Sequence, residues 1–148
     1  MKVLFVCTGN TCRSPMAEGI FRDKVLQDGL EGKIFSQSAG LSAVDKMPAA
    51  ENAILTCREI GIDISGHTAR RIAPEDTEAW DLYFPMSKTH AYILEQAGVA
   101  HTKIYIPKYI DDPYGQGLEV YRKCREKLEI ELRLFYNNVV KRLITFEA

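Results

Sequence analysis

The chain opens with an unbroken apolar run, Val3-Leu4-Phe5-Val6, which gives way at once to Cys7-Thr8-Gly9-Asn10. A short β-branched run without polar alternation marks a strand buried on both faces, so it predicts a strand over residues 2–6. Helical spacing follows. Ala17, Ile20, Phe21 and Val25 recur at intervals of three and four, predicting a helix over residues 15–27. Ser14-Pro15 has the form of an N-cap followed by a first helical residue. Residues 34–37 predict a second, short strand. Ala50, Ala53, Ile54, Cys57 and Ile60 predict a helix over residues 48–60, with Gly61 just past its end. Residues 82–84 predict a third strand, interrupted by Pro85. Ser87 then caps a helix reaching about residue 97. Residues 103–106 predict a fourth strand and 110–117 a polar loop. A last helix over residues 118–143 carries Leu118, Tyr121, Cys124, Leu128, Leu132, Phe135 and Val139 on one stripe.

Strands alternating with helices imply an α/β fold: a four-stranded parallel sheet with helices on both faces. No repeat, low-complexity tract or linker-like stretch divides the chain, so residues 1–148 are expected to form one domain. Ligands of such sheets sit beyond the carboxyl ends of the strands. The stretch after Val6 lies at one of those ends.

Charge narrows the partners. A formal net charge of −1 supplies no field for nucleic acid or an anionic membrane. The first apolar run is too short for a membrane span or a signal-peptide core, so a cytoplasmic protein is expected. The four cysteines then suit catalytic or core roles better than structural crosslinks. Few apolar runs look exposed, and a monomer is the expectation.

Between β-strand and helix, Cys7-Thr8-Gly9-Asn10-Thr11-Cys12-Arg13 sets a thiol and a guanidinium at the ends of a short loop. Such a loop curls, its N–H groups converge, and the following helix adds positive potential, making a cup for a tetrahedral oxyanion. Arg13 offers a planar fork for two phosphate oxygens. Thiolates are favoured in such surroundings, so Cys7 suits attack on phosphorus. Competing chemistries lack parts. No second pair of Cys or His stands at zinc-ligand spacing, and the loop lacks the second Gly and the Lys of a nucleotide-binding P-loop.

The run VCTGNTCRSPMAEGIF resembles the N-terminal signature of the low-molecular-weight protein-tyrosine-phosphatase family. DDPYG resembles its Asp-Pro-aromatic acid loop, and SAG at residues 38–40 and GHTAR at residues 66–70 stand in family order. The resemblance spans essentially the whole chain. It implies a phosphate-binding loop of Thr8, Gly9, Asn10, Thr11, Cys12 and Arg13 after the first strand, with no metal and no cofactor. It also implies Cys7 as nucleophile, Arg13 as phosphate clamp and Asp112 as general acid and base, acting on phosphorylated proteins. Asn10 would hold the loop in shape and Ser14 would donate to the Cys7 thiolate. Ser38 and His67 would brace the loop, and Tyr114 would line the pocket rim. Asp111 is the alternative acid; Pro113 favours an extended residue before it, a weak argument for Asp112. Cys12 is either a small residue packed under the loop or, as the family implies, a thiol that pairs with an oxidised Cys7. Cys57 and Cys124 fall on apolar stripes and are expected in the core.

Thr11 bears on substrate. Tyrosine-specific relatives often carry a bulky aliphatic residue there, whereas bacterial members resembling protein-arginine phosphatases carry Thr within the same run. Phosphotyrosine and phosphoarginine both stay open. Two other functions compete. An arsenate reductase uses the same anion cup but needs further cysteines beyond the acid loop, where only Cys124 lies. A non-catalytic phosphate-binding module needs neither Cys7 nor Asp112.

Overall fold

The computed structural model describes residues 1–147. Its centre is a parallel sheet of three strands, β1 (Lys2–Cys7), β2 (Phe35–Gly40) and β3 (Leu82–Pro85), in the order β2-β1-β3. Register pairs Phe5 with Ser38 on one side and with Phe84 on the other. The central strand is β1, whose residues Val3 to Cys7 are all buried, as its continuous apolar run requires.

The fourth strand expected at residues 103–106 does not form. Residues His101–Lys103 make a 3-10 turn, and only Ile104 bridges to Tyr83, with the Tyr105 N–H donating to the Tyr83 carbonyl at 2.9 Å. The reason is chemical. The next two rungs would need N–H donors from residues 85 and 107, and both are proline. The Pro85 nitrogen faces this outer edge, so the residue is tolerated within β3 itself.

Side chains leave β1 alternately for the two faces of the sheet. Val3 and Phe5 join the larger core with α1 (Arg13–Gln27), α2 (Glu51–Arg58) and α5 (Leu118–Phe135). Phe5, Phe21, Phe84 and Phe135 meet there, Phe84 and Phe135 edge to face with centroids 5.0 Å apart. Such pairs add about 1 kcal/mol each beyond burial. Leu4 and Val6 face the smaller core with Trp80 and Leu94, supplied by α3 (Asp76–Ala79) with its flank and by α4 (Lys88–Gln96). Helices therefore cover both faces.

Several boundaries differ from the sequence reading. The helix expected over residues 48–60 starts only at Glu51, because Pro48 is engaged in an antiparallel bridge to Thr68 and the Ala50 N–H donates to the Thr11 carbonyl. The final helix is not uniform. A π-helical turn over Tyr136–Val140 separates α5 from α6 (Lys141–Glu147), and Tyr136 and Val140 both stay buried in it. The apolar stripe of α5 is as expected, with Tyr121, Cys124, Leu128, Leu132 and Phe135 buried. Among the described residues, no helix is long and apolar enough to cross a membrane.

Asp76 fixes the segment leading from α2 to β3. Arg70 grips it with both guanidinium nitrogens at 2.9 and 3.0 Å, and the Ala73 N–H and Trp80 Nε1–H also donate to it. Burial opposes its charge, yet these donors hold the carboxyl down at about 2. Because the folded value lies below the unfolded one, the stabilisation is complete above about pH 4 and fades as pH falls toward 2. Asp76→Asn is expected to lower stability by about 2 kcal/mol at neutral pH, and to flatten the acid limb of a stability-against-pH curve measured by urea titration.

Candidate active site

Residues 8–12 connect the carboxyl end of β1 to α1. The loop lies tightly against the end of β2. Leu41 and Ser42 donate their N–H groups to the Cys7 and Thr8 carbonyls, both at 2.9 Å. A Cβ on Gly40 would sit 2.6 Å from the Thr8 carbonyl oxygen, so only glycine allows this approach.

Asn10 determines the loop's curl. Its φ is +57°, a left-handed conformation that costs a non-glycine residue free energy. Hydrogen bonds on every side hold it there. The side-chain amide donates to Ser14 Oγ at 2.8 Å and Ser38 Oγ at 3.0 Å, and its oxygen accepts from the Arg70 N–H at 2.9 Å. The Asn10 carbonyl accepts from His67 Nε2 at 2.8 Å. Ser38 in turn donates to Glu18 at 2.7 Å.

The same network reaches Cys7. Its Sγ receives the Asn10 N–H at 3.3 Å and lies 2.8 Å from Ser14 Oγ. Ser14 Oγ already accepts from Asn10, so its own proton is directed at the sulfur. Two donors thus converge on Cys7 and stabilise negative charge there. This revises the role expected for Ser14 in the helix. Cys12, not Ser14, occupies the N-cap, and it makes no side-chain cap; α1 begins at Arg13. The Ser14 hydroxyl is used at the sulfur instead.

Arg13 is buried and spans the cup. One guanidinium nitrogen donates to the Ile110 carbonyl at 3.1 Å, and another lies 3.5 Å from Asp112 Oδ2. Asp112 is half exposed, and its other oxygen accepts from the Tyr114 N–H at 3.1 Å. Cys7 through Arg13, Asp112 and Tyr114 line one cavity of about 530 Å³, whose walls also include Val44, Met47 and Glu51. Asp111 is not among its lining residues. Among the described residues, the N–H groups of Thr8, Gly9, Thr11 and Cys12 donate to no other protein group. A cup with unspent N–H donors, a guanidinium and a sulfur at its base has the donor set that a tetrahedral oxyanion needs.

A family model described as low molecular weight phosphotyrosine protein phosphatase matches residues 2–144. The chain belongs to that family. A protein-arginine-phosphatase of Bacillus subtilis is 33% identical over 142 residues, covering 90% of this chain and 93% of that one. The low molecular weight protein-tyrosine-phosphatase YfkJ of the same organism is 39% identical over 130 residues, covering 79% and 83%. A solved structure of a YwlE arginine phosphatase, a cysteine-to-serine mutant with a phosphorylated active-site serine, superposes with a TM-score of 0.87 at 31% identity, covering 95% of this chain and 97% of that one.

In this family member burial disfavours the thiolate at each of the other cysteines. Burial raises Cys12, although Tyr121 hydroxyl at 3.2 Å and Thr11 lean the other way. Burial pushes Cys57 and Cys124 up to about 12, as expected of core residues. All four cysteines are free. Among the described residues, no group of three or more His, Cys, Asp or Glu side chains gathers for a metal ion.

One residue near the site escaped the sequence reading. His90 on α4 is buried behind Thr8, with Nε2 2.9 Å from Thr8 Oγ1 and Nδ1 2.6 Å from Ser87 Oγ. A signal was available. His90 stands three residues after the cap of the helix that follows β3, at the carboxyl edge of the sheet where ligands bind.

Proposed function

We propose that this phosphatase hydrolyses phosphorylated side chains of proteins through a cysteinyl-phosphate intermediate, with phosphoarginine as the leading substrate. The observation that carries the mechanism is the convergence of two donors on Cys7 Sγ, with Arg13 and Asp112 across the same cavity. The Cys7 thiolate attacks phosphorus, forming an S–P bond as the bond to the leaving group breaks. Asp112 acts as the general acid and delivers a proton to the departing atom. Asp112 then takes a proton from water, which attacks phosphorus, releases phosphate and restores the thiolate. Arg13 and the free loop N–H groups hold the equatorial oxygens in both steps. Ser14, Asn10, Ser38 and His67 keep the loop in its working shape. Once a peroxide has oxidised the Cys7 thiolate to a sulfenic acid, the Cys12 thiol is proposed to attack that sulfur, forming a disulfide and expelling water, and so to spare Cys7 from irreversible oxidation.

Phosphoarginine is favoured by the small Thr11 in the loop and by two carboxylates, Asp112 and Glu51, on the cavity wall beside a cationic leaving group. Phosphotyrosine is the second reading, favoured by the apolar wall of Val44 and Met47 and by the ring of Tyr114, 72% exposed at the rim. An arsenate-reductase reading fares worse, since Cys124, the sole cysteine beyond the acid loop, is buried in the core.

The test compares kcat/KM for one peptide bearing either phosphate, with wild type and Thr11→Ile. Phosphoarginine preference that reverses in Thr11→Ile, a change of about 10-fold or more, is expected. A phosphotyrosine preference untouched by the substitution selects the second reading and leaves Thr11 a packing residue.

A further inference from the structure

The hydrogen bonds around His90 have a direction. Ser87 Oγ accepts the His90 main-chain N–H at 3.2 Å, as an N-cap should. The Ser87 hydroxyl proton then has the His90 ring nitrogen Nδ1, at 2.6 Å, as its acceptor. Burial and the nearby charge of Arg13 press His90 down to about 4, against a smaller opposing pull from Asp112, so the ring is neutral at working pH. A neutral imidazole that accepts at Nδ1 carries its one proton at Nε2. That proton goes to Thr8 Oγ1 at 2.9 Å. The Thr8 hydroxyl accepts from behind and keeps its own proton for another acceptor. Thr8 is exposed and lines the cavity that holds Cys7, whereas His90 is buried and does not line it.

We propose that His90 is a positioning residue that, clamped by Ser87, orients the Thr8 hydroxyl proton toward the oxyanion bound above Cys7. The Ser87–His90–Thr8 relay thus adds an O–H donor to the main-chain donors of the cup. This inference rests on the phosphatase reading. A fixed donor of this kind acts most strongly as charge shifts in the transition state, so its loss falls on kcat more than on KM.

The experiment is a double-mutant cycle on the full chain with p-nitrophenyl phosphate, comparing wild type, Thr8→Val, His90→Leu and the double variant. Thr8→Val is expected to lower kcat roughly 10²-fold and His90→Leu roughly 10-fold, with KM little changed. The double variant should be no worse than Thr8→Val, because His90 acts only through that hydroxyl. Thr8→Ser should keep most of the activity, and His90→Gln, which retains a donor at the Nε2 position, should recover most of it. Losses that multiply in the double variant, or a His90→Leu variant with wild-type kcat, overturn the proposal. If His90→Leu does not fold, an unchanged kcat in Thr8→Val overturns it instead. A wild type that turns over no phosphomonoester brings down the phosphatase reading, and this inference with it.

Discussion

Cys7→Ser is expected to lower kcat/KM by about 10⁴-fold or more while leaving the affinity for inorganic phosphate nearly unchanged. A serine hydroxyl ionises far less readily than a thiol, so the two donors aimed at position 7 have no anion to stabilise. Asn10 N–H and Ser14 Oγ remain in place, at 3.3 and 2.8 Å from the present sulfur. Arg13 and the loop N–H groups are untouched, and they carry the anion affinity. Steady-state kinetics beside phosphate inhibition reads both quantities. A variant that keeps a tenth of the wild-type kcat/KM would move the nucleophile elsewhere. A variant that loses phosphate affinity in proportion would mean that Cys7 shapes the cup rather than attacks.

Asp112→Ala should slow a substrate with a poor leaving group by about 10³-fold and p-nitrophenyl phosphate by about 10-fold or less. A good leaving group departs with little protonation, so the acid is expendable there. The half-exposed position of Asp112, 3.5 Å from the Arg13 guanidinium, places its carboxyl on the cavity without burying it. The substitution also deprives Arg13 of its ion pair, so Asp112→Asn serves as the control for shape. A plot of log kcat/KM against leaving-group pKa should steepen in both variants. Equal slowing of good and poor leaving groups would transfer the acid role, with Asp111 next in line.

The sequence exposed the chemistry of this site better than its geometry. Cys7 and Arg13 were legible because one short loop carries both ends of the anion cup between a strand and a helix. The core was legible for a similar reason, since the stripe from Tyr121 to Phe135 repeats at helical spacing. Ser14 misled only as a cap, because Ser-Pro before a helix normally caps it, whereas the family motif had already pointed its hydroxyl at Cys7, where it lies. The fourth strand misled because residues 103–106 have strand composition, while the decisive prolines lie outside that window, at 85 and 107. His90 stayed hidden because its partner Thr8 is 82 residues away, and no local pattern pairs them. Ser38, His67 and Arg70 converge on Asn10 across gaps of 28, 57 and 60 residues. Motif order suggested the first two, whereas Arg70, though it closes the same GHTAR run, was given no role.

Acid-quench mass spectrometry of the wild-type enzyme, mixed with p-nitrophenyl phosphate for a single turnover and digested, tests the cysteinyl-phosphate mechanism most directly. A transient phosphate on the peptide containing Cys7, formed before inorganic phosphate is released and gone once substrate is spent, is the expected result. Release of phosphate with no labelled peptide at any quench time, or label on another residue, would contradict it.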